Sequence, residues 1–154
     1  MVHALEEIHR LLKPSGRLID IHPVSEAMRV EIDDDGTVSP VGELSVGQWC
    51  MDFQQADEAL ADVIERGLFI VEAEGIFDSP TGYGSVEEMR TALMGSVDRF
   101  SRDRRSAEEA VPPVEGIVAG SEELMRKARG TAELVAHERT HIRRLRPGSS
   151  DGKG

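Results

Sequence analysis

The chain has 154 residues, enough for one domain with a real core and too few for two comfortable ones. Its 29 acidic and 18 basic side chains give a formal charge of −11, which favours solubility and argues against a nucleic-acid-binding surface, since that would need a basic stripe. A single cysteine, Cys50, excludes an intrachain disulfide, and no apolar run approaches the roughly 18 residues needed to cross a bilayer. The basic stretches at 102–105 and 139–146 are short and read as solvated faces. Cys50, beside Trp49, reads as a small buried hydrophobe. Without the basic-then-apolar pattern of a signal peptide, a cytoplasmic location with no membrane contact is expected.

Met1, Ala4, Leu5, Ile8, Leu11 and Leu12 share one face of an opening amphipathic helix. Pro14 is expected to stop it, and Gly16 to turn the chain through a left-handed conformation. Leu18, Ile19 and Ile21 then make a short strand with little alternation, the pattern of a strand covered on both faces in a parallel sheet. In 28–46, Met28, Val30 and Ile32 alternate with polar residues before Asp33-Asp34-Asp35-Gly36, a hairpin signature. That acidic run lacks the alternating ligands and closing Glu of a calcium loop.

A helix carrying Ala56, Ala59, Leu60, Val63 and Ile64 ends at Gly67. A strand at 68–77 follows, with Phe69, Val71, Ala73 and Phe77 inward and Glu72 and Glu74 outward. Pro80-Thr81-Gly82-Tyr83-Gly84 reads as a loop, and Ser85 with Glu88 as a capping box for a helix burying Val86, Met89, Leu93 and Val97. Residues 101–120, polar and containing Pro112-Pro113, read as a mobile excursion. Ser121 then caps a short helix, a strand spans about 133–145, and 147–154 form a disordered tail.

The run Ala4-Leu5-Glu6-Glu7-Ile8-His9-Arg10-Leu11-Leu12-Lys13-Pro14-Ser15-Gly16-Arg17-Leu18 resembles the segment leading into the fifth strand of class I S-adenosylmethionine-dependent methyltransferases. Ser15 departs from the usual glycine of that turn. In that family the segment lies past the middle of the domain, and the seventh strand sits between the fifth and the sixth. The resemblance therefore implies an α/β fold: residues 1–146 as the C-terminal half of a methyltransferase-like domain, a partial Rossmann-like sheet of strands equivalent to the fifth, sixth and seventh, with an added hairpin.

The family binds S-adenosylmethionine through a Gly-rich turn after its first strand and an acidic residue ending its second. The glycines at 75, 82 and 84 have the wrong place and spacing for that turn, so no cofactor-binding residue is carried over. Asp20 and His22 are carried over as candidate substrate contacts at the carboxyl end of the first strand. His22 is the candidate general base, its unperturbed pKa of about 6.5 suiting the role; the alternative is a histidine that closes the strand before Pro23.

His137-Glu138-Arg139-Thr140-His141 matches the zinc-protease pattern H-E-x-x-H. The flanking alternation reads as a strand, which would place the two histidines roughly 13 Å apart, too far to share an ion. No metal site is expected.

The implied reaction is methyl transfer from S-adenosylmethionine to a small-molecule acceptor, with the chain expected to be inactive alone. A sheet lacking a fourth strand leaves the first with an apolar edge, so self-association or a separate chain bearing the N-terminal half is expected. The alternative is a non-catalytic dimeric binding or structural module, and a truncated reading frame is a third expectation.

Overall fold

The computed structural model describes residues 1–45, 47–101, 104–128 and 131–148, excluding the side chains of 47–50, 100 and 104. Cys50, the 102–105 run in part, and the tail from 149 onward therefore lie outside the described residues or side chains. In chain order the elements are α1 (Val2–Leu11), β1 (Leu18–Pro23), β2 (Met28–Asp34), β3 (Thr37–Leu44), α2 (Gly47–Glu65), β4 (Phe69–Tyr83), α3 (Val86–Phe100), α4 (Arg104–Lys127) and β5 (Glu133–Pro147). The fold class is α/β. Its sheet is antiparallel, in the order β1-β5-β2-β3, with β4 also paired to β5. The chain divides into two compact units, Met1–Val24 with Met51–Phe77 and Thr140–Gly154, and Ser25–Cys50 with Asp78–Arg139.

The first unit has its own core. Leu60 and Val63 of α2 pack with Phe69 and Leu145, and Val2, Leu5, Leu12 and Leu18 close around them. Helix α1 buries only one side of its apolar arc, leaving Met1, Ile8 and Leu11 exposed. It ends because Leu12 turns extended (ψ 130°) ahead of Lys13-Pro14. Gly16 does not adopt the left-handed conformation expected of it. It is needed for proximity instead, since a Cβ there would lie 2.8 Å from Leu12 Cδ1. Gly67 does take a positive φ of 75°, and Leu68 N–H donates to Val63 O while Gly67 N–H donates to Ile64 O, closing α2.

Strand β1 corrects the expectation of a parallel strand covered on both faces. It pairs antiparallel with β5, and only alternate residues turn inward, so Ile19 is 50% and Ile21 58% exposed. Phe77, expected inward, is 45% exposed, and Ala73 is exposed as well. The strand that carries them does not end there but runs through 80–83, the stretch expected as a loop. Pairing only with β5 makes β4 an edge, the place in a sheet where a proline such as Pro80 is tolerated.

The second unit opens on the β2–β3 hairpin. Asp35 (φ 51°) and Gly36 (φ 84°) make its turn, and Asp33 Oδ1 accepts from Gly36 N–H at 2.7 Å. Val30, Ile32, Leu134 and Ala136 from the sheet meet Met89, Leu93 and Val97 of α3 and Val114, Ile117 and Val118 of α4. Ser85 Oγ caps α3 by accepting from Glu88 N–H at 3.1 Å. The 101–120 stretch, expected as a polar excursion before a short helix, is helical from 104 onward. Its Ala110, Val114, Ile117 and Val118 form a buried stripe, and Ser121, expected as a cap, lies inside α4 fully buried. That stripe outweighs Pro112 and Pro113, whose rings lie on the exposed side.

Strand β5 contributes to both cores by changing which face it buries. Leu134, Ala136 and Thr140 are buried, and beyond 140 the inward positions become His141, Arg143 and Leu145.

Candidate functional site

The polar centre of the first unit is built on the inward face of the β1–β5 pair. In that ladder Asp20 stands opposite Arg143 and His22 opposite His141, so all four side chains fall on one face. Helix α2 supplies Asp57 from the stripe that carries Leu60, Ala61 and Ile64. Strand β4 supplies Glu74.

His22 lies within strand β1 with its imidazole only 12% exposed. Its Nδ1 is 3.1 Å from Asp20 Oδ1, hydrogen-bonding distance. In the tautomer that donates Nδ1–H to Asp20, Nε2 carries the lone pair. That nitrogen is buried and lacks a hydrogen-bond partner among the described residues. Asp57 Oδ1 is 3.3 Å away but out of hydrogen-bond alignment. His141 sits beside it, with ring centroids 6.2 Å apart; its own nitrogens are 4.0 Å from Asp57 and 3.7 Å from Glu74, too long for hydrogen bonds.

Arg143 fixes the carboxylates. It donates to Asp57 Oδ1 at 2.8 Å and to Asp20 Oδ2 at 3.5 Å, and its Nε lies 3.6 Å from Glu74. Burial pushes the Asp57 carboxyl up, but the hydrogen bond and charge of Arg143, joined by His22, hold it below the ordinary carboxylate value. A cavity of about 380 Å³ adjoins the group, lined by Asp57, Leu60, Ile64, Val71, Glu74 and Arg143. Its mixed lining suits a small molecule with one polar end.

Of the sequence candidates, Asp20 and His22 are brought together. His141, Arg143, Asp57 and Glu74 join them, none foreseen as part of one site. The signal for His141 and Arg143 was the alternation of β5, useful only once its register against β1 is known. For Asp57 it was an acidic residue on the apolar stripe of an amphipathic helix.

The two histidines of H-E-x-x-H serve different units. His137, in the second, has Nδ1 2.5 Å from Asp78 and Nε2 2.8 Å from Glu31, with Arg29 3.6 Å from Asp78. Glu138 is half-buried, which pushes its carboxyl above the usual value. The motif lies on strand β5, as its alternation predicts. Among the described residues no group of three or more His, Cys, Asp or Glu is arranged to hold a metal ion.

The strand–glycine–helix junction at 82–86 does not fit S-adenosylmethionine. The α3 N-terminus is occupied by Ser85 Oγ and by Glu88 Oε2, which accepts from Gly84 N–H at 2.8 Å. A resident carboxylate fills the position an approaching ligand would use. No helix among the described residues is long and apolar enough to cross a membrane. No family model, curated protein or solved structure matches this chain.

Proposed function

We propose that this chain is methyltransferase-like, forming the acceptor side of a class I methyl-transfer domain whose S-adenosylmethionine is held outside these residues, so that the chain alone is inactive. The observation that carries the reading is strand order. β5 pairs with both β1 and β4, as the seventh strand pairs with the fifth and sixth in that family, and β1 follows the Lys13-Pro14-Ser15-Gly16 turn and carries His22 one residue before its end at Pro23. The antiparallel sheet as a whole is shared by many folds, so the weight rests on this local order.

Within the proposal, the 380 Å³ cavity takes a small acceptor bearing a hydroxyl or amine. Asp20 orients His22, and Asp57, which lines the cavity, passes the acceptor's proton on to the buried His22 Nε2 that lies 3.3 Å from it. Arg143 keeps Asp57 and Glu74 in place around the apolar wall. The rate contribution is positional and desolvating, with no covalent intermediate on the protein.

The test is a protein-observed NMR screen of phenols, amines and matched compounds lacking the nucleophilic group, read out on the imidazole resonances. Hits with a nucleophilic group are expected to move His22 and His141 and to lose affinity in Asp20→Asn and His22→Ala. Hits indifferent to both substitutions would sink the acceptor-site assignment. Micromolar binding of S-adenosylmethionine to the purified chain by calorimetry would refute the placement of the cofactor elsewhere.

A second reading, a non-catalytic dimeric module, is favoured by one observation. β1 is terminal in the strand order and exposes Ile21, and α1 exposes Ile8 and Leu11.

A further inference from the structure

The outward side of the first unit carries a second group of charged residues, unconnected with His22. Three arginines converge on one carboxylate. Arg17 donates its Nε to Glu72 Oε2 at 2.6 Å, Arg144 Nε lies 3.2 Å from the same oxygen, and Arg146 Nε lies 3.9 Å from Oε1. Their hydrogen bond and charges hold the Glu72 carboxyl below its ordinary value. Three guanidiniums and one carboxylate leave a local charge of +2 on a chain whose total is −11.

Each arginine meets Glu72 through Nε. Among the described residues, the terminal nitrogens of Arg144 have no hydrogen-bond partner. Those of Arg17 and Arg146 reach only the backbone oxygens of Ser15, Gly16 and Pro147. The Arg144 fork and the second terminal nitrogen of Arg17 and of Arg146 are therefore available to a planar or tetrahedral oxyanion. They open on a groove of about 610 Å³ that also includes Ile70 and Val71.

Arg144 lines a second hollow as well, of about 340 Å³, whose other walls are Ile19, Ala73, Glu74, Gly75 and Ile142. Arg144 stands opposite Ile19 in the β1–β5 ladder, so the cationic and apolar stretches are adjacent along one sheet face. Ile19 and Ile142 are exposed there.

We propose that this face binds a soluble phosphate monoester carrying a short apolar substituent, the phosphate on Arg17, Arg144 and Arg146 and the apolar group against Ile19 and Ile142. A phosphate monoester is close to dianionic at neutral pH and matches the local +2. Its oxygens can accept from several guanidinium forks at once. Glu72 holds the arginines together in the free protein and competes with the ligand for them. The proposal does not rest on the methyl-acceptor reading, although Val71 and Glu74 line hollows of both sites.

Calorimetric titration of the full chain with n-hexyl phosphate, inorganic phosphate and n-hexanol tests it. Hexyl phosphate is expected to bind at least about tenfold more tightly than inorganic phosphate, because the chain removes apolar surface from water. Glu72→Gln is expected to tighten both phosphates by roughly fivefold by removing the competing charge. Ile19→Ser, a change at an exposed position, should bring hexyl phosphate down to the level of inorganic phosphate. Arg144→Gln combined with Arg146→Gln should abolish both.

Equal affinities for the two phosphates in the unaltered chain, or weaker binding in Glu72→Gln, would overturn the proposal. So would binding to phosphatidic acid vesicles without binding of hexyl phosphate, which would point to a membrane surface. If the double arginine variant fails to fold by circular dichroism, the Ile19→Ser and Glu72→Gln comparisons decide the matter.

Discussion

Asp57 gathers the inward cluster through one oxygen, which accepts from Arg143 at 2.8 Å and lies 3.3 Å from His22 Nε2. Its carboxyl is held below the ordinary value near 3.8, because Arg143 and His22 overcome the upward push of burial. A carboxyl with a lowered folded pKa stabilises the protein above its unfolded pKa and loses that contribution as pH falls through the folded value. Asp57→Asn should therefore lower stability at neutral pH by about 1 kcal/mol, a figure already discounted for a side chain one-third exposed. It should also flatten the acid limb of the stability curve below about pH 4. Urea unfolding of both proteins at neutral and acidic pH measures this, and equal neutral midpoints would remove Asp57 from its organising role. Glu138 has the opposite sign. Burial raises its carboxyl, so its stabilising contribution is present below the unfolded pKa and is lost as pH rises through the folded one. Glu138→Gln should raise stability at neutral pH by about 0.5–1 kcal/mol. The same change should bring down the phenol of Tyr83, the chain's single tyrosine, which is pushed up by burial and then by the charges of Glu138 and Glu88. Spectrophotometric titration of that one phenol follows the shift directly.

Helix α4 shows most clearly what a sequence pattern can and cannot carry at the scale of an element. Pro112 and Pro113 and the surrounding polar residues argued for a break, and local propensity alone supports that view. The stripe Ala110, Val114, Ile117, Val118 and Ser121 holds the helix together because α3 and the β2–β3 hairpin lie ready to cover it. Nothing local to 104–127 announces that cover. Pro113→Ala should accordingly raise stability by about 2 kcal/mol, since an interior proline costs about 3 kcal/mol and its loss returns up to about 1 kcal/mol of unfolded-chain entropy. A lower melting temperature would contradict an uninterrupted α4. The hairpin, α2, α3 and β5 were legible because their period, turn and cap residues all agree, as in Asp35-Gly36 and Ser85 with Glu88. β4 was legible only to Phe77, since Pro80 and Gly82 resemble loop residues and are tolerated only at an edge. His22 and Asp20 were visible by their place at a strand end. Arg143, Asp57 and Glu74 were not, because they reach the site through pairing register and helix packing, which are properties of the folded chain.

At the scale of the whole molecule, charge and apolar exposure oppose each other. Two copies each bearing −11 repel, while the terminal strand β1 exposes Ile21 beside unpaired backbone groups and α1 exposes Ile8 and Leu11. Apolar burial is nearly indifferent to moderate salt, whereas the repulsion is screened within about 10 Å at 0.1 M ionic strength. Self-association along this edge should therefore strengthen as salt rises, the reverse of an interface held by ion pairs. Light scattering across a salt series is expected to show the dimer fraction rising. Ile21→Glu, or Leu11→Glu on the exposed side of α1, should return the chain to monomer at every salt concentration with little change in melting temperature, because neither side chain is part of a core. A monomer throughout the series would remove the dimeric module from consideration and leave the edge of β1 without a self-partner. A dimer that dissolves as salt rises would instead place the contact on the charged surface, away from β1 and α1.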